Sequence, residues 1–165
     1  MALSRLIPLV ASIGVPFAAG ILGNAVSRDS IDTWYKGLKK PWYSPPNWVF
    51  GPVWSLLYIC MGTSSFLVWS QGGFSAQALP LAVYGAHLAF NAAWTPLFFA
   101  AKRMDLAFVD IALMWGSLAG SIYLFYPVNR TAAFLLVPYL VWVSFAALLN
   151  FKTWRLNLKP AVKQN

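Results

Sequence analysis

The chain has no glutamate. Its 165 residues carry four aspartates, one histidine and one cysteine. That is too few for a paired-carboxylate centre, a zinc cluster or a disulfide framework, and no glycine-rich phosphate loop is present. Charge of either sign is scarce, at 10% of residues against 59% hydrophobic, where a soluble domain carries about 25% charged. So few charged side chains cannot cover a soluble surface, so the chain belongs largely in lipid. What charge there is leans one way, with 12 Lys and Arg giving a formal net charge of +8. On a soluble protein this excess would point to nucleic acid or an acidic partner. In a membrane chain it reports topology, and no nucleic-acid partner is expected. Cys60 stands alone in an apolar run and reads as a small buried hydrophobe.

Five stretches are long and apolar enough to cross a hydrocarbon core of about 20 helical residues: 7–26, 48–69, 79–100, 106–125 and 132–151. Within lipid the backbone must satisfy its own hydrogen bonds, so these are helices. The expectation is an all-α membrane protein: one domain over 1–165, a five-transmembrane-helix bundle with a structured loop, rich in aromatics and proline, after helix 1. Pro16, Pro52, Pro96 and Pro138 should kink or loosen the spans. The first stretch exceeds a signal-peptide core of about 7–15 residues and is expected to remain as a span. Ten of the twelve basic residues fall on one side of this arrangement, and only Arg5 and Arg130 on the other. The positive-inside rule then places the 27–47 loop and the C-terminus in the cytosol. Mitochondrial outer membrane, endoplasmic reticulum and bacterial envelope all fit this pattern.

Three polar side chains fall within or near the spans. Asp110 is costly in a bilayer unless partnered; pairing with Lys102, Arg103 or a neighbouring helix is one reading, a place in a pocket the other. His87 and Asn91, four apart, share a helix face and suit hydrogen bonding between helices. Aromatic residues make up 17% of the chain. Trp34, Tyr35, Trp42, Tyr43 and Trp48 lie where an interfacial belt would lie. Trp54, Trp94 and Trp142 lie deeper in their spans, where they serve either core packing or the walls of a cavity for a large planar apolar ligand.

The stretch WYKGLKKPWYSPPNWVFGPVWSLLY, residues 34–58, resembles the signature of the translocator protein family, also called TspO/MBR, peripheral benzodiazepine receptor or tryptophan-rich sensory protein. The resemblance rests on Trp34, Tyr35, Leu38, Lys40, Pro41, Pro45, Pro46, Val53, Trp54, Leu57 and Tyr58. It continues through Asn91, Ala93 and Trp94, then Asp110, then Pro138, Tyr139, Trp142, Phe145, Ala146 and Asn150. It implies a five-helix bundle, often a homodimer, that binds tetrapyrroles such as protoporphyrin IX and heme, sterols, and benzodiazepine-type ligands, with no cofactor required. It also implies that the loop after the first helix covers the pocket mouth. Carried over by position, Asn24, Tyr35, Trp54, Asn91, Trp94, Asp110, Leu113, Trp142 and Ala146 are ligand-binding residues. Two positions depart from animal members: Phe151 replaces the tyrosine of the sterol motif, and Leu106 replaces a pocket tryptophan. The function so implied is that of a tetrapyrrole and sterol binding protein acting as sensor, scavenger or transport aid. Its alternatives are a light-dependent porphyrin-degrading enzyme, in which the tryptophans matching Trp54 and Trp142 are implicated, and a membrane interaction subunit working through partners.

Overall fold

A computed structural model describes residues 3–158, the side chains of residues 3, 4, 24 and 26 excepted. All regular structure among the described residues is helical, with no strand among them. Five long helices carry the fold: α1 (Leu3–Asp32), α2 (Asn47–Trp69), α3 (Ala78–Thr95), α4 (Met104–Phe125) and α5 (Arg130–Leu156). The 3-10 turn Tyr35–Gly37 lies between α1 and α2, and the single helical turn Gly73–Ala76 between α2 and α3.

α1, α2, α4 and α5 contain stretches long and apolar enough to cross a membrane. α3 does not reach that measure, so four candidate spans stand where the sequence suggested five. The shortfall has a local cause: α3 carries Pro80, His87 and Asn91 within its 18 residues. The outer surfaces suit lipid, since Ile7, Leu22, Val141 and Leu148 are each at least 60% exposed.

Helix ends also differ from the apolar runs. α1 continues past residue 26 to Asp32 and so takes up Arg28 and Asp29, which shortens the connecting loop. Charge ends a hydrophobic stretch without ending a helix, because Arg and Asp hydrogen-bond to water from its exposed side. α5 begins at Arg130, where the Asn129 side chain caps it by accepting the Ala132 N–H at 3.0 Å. α3 ends where Pro96 begins a π-turn, Pro96–Ala100, closed by the Ala101 N–H bonding to the Pro96 carbonyl. Lys102 follows at φ 55, a left-handed conformation that stops the chain before α4. Pro16, Pro52 and Pro138 lie inside α1, α2 and α5.

α3 packs chiefly on α4, and α4 on α5, while α1 leans on α2 and on the π-turn. Met61, Val68, Leu118, Phe125, Leu136 and Tyr139 are fully buried and form the core. Gly62 allows α1 and α2 to meet, because a Cβ there would fall on the Ile13 backbone.

Candidate functional site

Towards the end of the bundle where α1 gives way to the aromatic loop, the helices part around a cavity of about 530 Å³. This volume is in the range of small-molecule sites. Trp54 of α2, Trp94 of α3 and Trp142 of α5 contribute to its walls. Each indole is held by other rings. Trp54 lies 5.7 Å from Tyr139 and 5.4 Å from Tyr58 between ring centres. Trp142 lies between Phe50 at 5.8 Å and Phe145 at 5.6 Å. Trp94 stacks on Phe98 at 4.9 Å, and its Nε1–H donates to Asn150 Oδ1 at 3.1 Å. Asn150 in turn donates to the Met104 carbonyl at 2.9 Å. Such fixed flat walls suit a planar apolar ligand.

Polar groups are few and tied. Asn91 lines the cavity, and its Nδ2 donates to the Tyr139 hydroxyl at 2.6 Å. That hydroxyl donates onward to Met114 Sδ at 3.5 Å. His87, the residue four before Asn91, is fully buried behind this pair, with its ring 5.2 Å from Tyr139 and Nδ1 3.4 Å from the Met114 carbonyl. The shared face of His87 and Asn91 therefore converges on one tyrosine.

The loop meets the cavity through aromatics that composition alone would assign to a membrane belt. Tyr35 lines the cavity and packs on Phe98 and Phe99, at 6.2 and 5.4 Å. Trp34 packs on Phe98 and Tyr43 on Phe145, at 5.8 and 6.3 Å. Burial raises the Tyr35 hydroxyl above its ordinary pKa, a shift opposed by a hydrogen bond with Ser44. Trp42 and Trp48 point away, 95% and 75% exposed. The loop is pinned to the end of α5: the Lys39 N–H donates to Asn157 Oδ1 at 3.0 Å, and Asn157 Nδ2 donates to the Lys39 carbonyl at 2.8 Å.

Of the residues singled out in the sequence, Tyr35, Trp54, Asn91, Trp94, Trp142 and Ala146 come together around this cavity. Leu113 does not; it is 51% exposed on the outside of α4. The α4 residues that do line the cavity are Ile111 and Met114. Asp110 is buried but not among the lining residues, and its Oδ2 has no hydrogen-bond partner among the described residues. It forms no ion pair with Arg103, which pairs with Asp105 at 2.7 Å instead. The expectation at Asn24 falls on a side chain outside those described. Phe98 and Phe99 were not singled out; their signal was the proline that opens their π-turn.

A profile of the TspO/MBR family matches residues 12–155. The translocator protein of Ovis aries is 44% identical over 153 residues, covering 92% of this chain and 90% of the relative. That of Homo sapiens is 48% identical over 126 residues, 75% of each chain. The tryptophan-rich sensory protein of Cereibacter sphaeroides is 41% identical over 148 residues, covering 90% of this chain and 88% of the relative.

Proposed function

Because this chain belongs to the TspO/MBR family of membrane proteins, we propose that it binds tetrapyrroles in the tryptophan-walled cavity and acts there as a sensor, scavenger or transport aid. The observation that carries this reading is the convergence of Trp54, Trp94 and Trp142 on one cavity that Tyr35 also lines. Flat indole faces stack on a macrocycle, and nearly all of such a ring's favourable surface is apolar. Protoporphyrin IX needs no axial ligand, and for heme the lining offers Tyr35, Tyr58 and Met114 but neither His87 nor Cys60. Sterols and benzodiazepine-type ligands are further classes for the same apolar space. Phe151, where animal members carry tyrosine, packs on Phe108 at 5.3 Å and offers no hydroxyl to a sterol.

We further propose that α3 completes a five-span bundle despite its polar residues, because His87 and Asn91 are both buried against α4 and α5 rather than facing lipid. The basic loops then face the cytosol. From residue 82 to 92 the outward positions of α3 are all alanine or glycine, with exposed Leu79 one turn before them, a surface on which a second copy can approach closely, and a homodimer is the proposed assembly.

Titration of purified protein in nanodiscs with protoporphyrin IX tests the binding reading. Saturable quenching of tryptophan emission at one porphyrin per chain is expected; linear, unsaturable quenching would refute it. A second reading is light-dependent porphyrin breakdown, favoured by the placement of two oxidisable indoles, Trp54 and Trp142, on the same cavity. Product formed only under illumination would separate it from simple binding.

A further inference from the structure

Against Tyr35, a residue of the cavity wall, stands a cation that no carboxylate among the described residues neutralises. Among nearby basic residues, Lys36 pairs with Asp32 at 3.0 Å and Arg103 with Asp105 at 2.7 Å, while Lys39 and Lys102 are exposed to water. Lys40 has no carboxylate within ion-pair distance among the described residues. Its Nζ lies 3.9 Å from the centre of the Tyr35 ring, and Tyr35 lines the cavity. Burial lowers the Lys40 pKa, which means that its ammonium has lost part of its water. The Tyr35 ring returns some of that loss, but a ring is a weak substitute for an anion. The backbone is fixed on both sides of Lys40. Lys39 is clamped by two hydrogen bonds to Asn157, and Pro41 restricts the residue before it.

We propose that Lys40 reads an acidic group on the ligand: a carboxylate at the rim pairs with its ammonium while the apolar body lies between the tryptophans. The ligand class is then a planar amphiphilic acid, bound with its acid edge towards the loop and its apolar edge towards Ile111, Met114 and Val143. This rests on the tetrapyrrole reading above and adds an orientation and a charge requirement to it. Lysine suits the task, because a compact ammonium on a flexible stem can follow a carboxylate that is not rigidly placed.

The test compares protoporphyrin IX with its dimethyl ester, which has the same ring and no acid, on the parent, Lys40→Gln and Lys40→Arg proteins in nanodiscs of neutral lipid. Lys40→Gln should weaken protoporphyrin IX by about threefold to fivefold, as loss of a mostly solvated ion pair does, and should leave the ester unchanged. Lys40→Arg should keep most of the affinity for the acid. High salt should weaken the acid on the parent and leave Lys40→Gln unaffected. Equal weakening of acid and ester by Lys40→Gln would overturn the proposal, since Lys40 would then only prop Tyr35. No change with either ligand would overturn it too. Absence of porphyrin binding to the parent would instead sink the tetrapyrrole reading itself, and that result comes before any variant is compared.

Discussion

Asn150 sits one turn before the basic end of α5, yet it sets the position of a residue on another helix. It is 2% exposed, accepts the indole N–H of Trp94 and donates to the Met104 carbonyl. Asn150→Leu would strand both partners in an apolar setting, at about 1 to 3 kcal/mol for each buried group left unpaired. The melting temperature in detergent should fall, and porphyrin affinity should fall with it as Trp94 loses its fixed orientation. An Asn150→Leu protein as stable as the parent would show that this bond does not hold the wall. Residues of this kind were legible in the sequence because polar and aromatic side chains in an apolar chain stand out: Asn91, Trp94 and Asn150 all mark their own faces. The α4 contribution was not. Asp110 and Ser117 are polar, but each stands three or four residues from both Leu113 and Met114, so they do not choose between those faces, and Ile111 and Met114 could not be told from Leu113 by type. Only packing against α3 and α5 chooses between them.

Helix pairs depend on features that composition does not display. α1 and α2 touch where Gly62 has no side chain; Gly62→Ala drives a methyl into the Ile13 backbone, and neither helix can yield without moving the other. Overpacking of this kind costs about 1 to 3 kcal/mol. Gly116→Ala on α4 meets nothing within 4 Å and should be neutral or slightly stabilising, since alanine is the better helix former by about 1 kcal/mol. Thermal unfolding of the two variants side by side checks this contrast, and equal melting temperatures would contradict it. Helix existence was readable from apolar length, but helix ends were not. α1 runs on through Arg28 and Asp29 to Asp32, and α3 gives way to a π-turn at Pro96, whose missing N–H interrupts the ordinary ladder. The same turn delivers Phe98 and Phe99 to Tyr35, so an irregular piece of backbone joins the loop to the cavity wall.

For the whole molecule, the uneven distribution of basic residues gives an orientation that labelling can check. In a Cys60→Ser background, Ser44→Cys and Asn129→Cys should react from opposite faces of the membrane, with position 44 cytosolic; reaction from one face would remove the five-span arrangement and with it α3 as a span. The binding account makes a sharper demand. Trp54 and Trp142 stand on separate helices, and each offers an indole to the same cavity. The decisive measurement is the affinity of Trp54→Ala and Trp142→Ala for protoporphyrin IX, made on protein that keeps its helicity and monodispersity, because removing a large aromatic can also cost about 3 to 5 kcal/mol of stability. Loss of a stacking face worth about 0.5 to 1.5 kcal/mol beyond burial should weaken binding by about threefold to tenfold in each, while Trp48→Phe, at an outward-facing position, should change little. Well-folded Trp54→Ala and Trp142→Ala proteins that both bind the porphyrin as tightly as the parent would contradict the account.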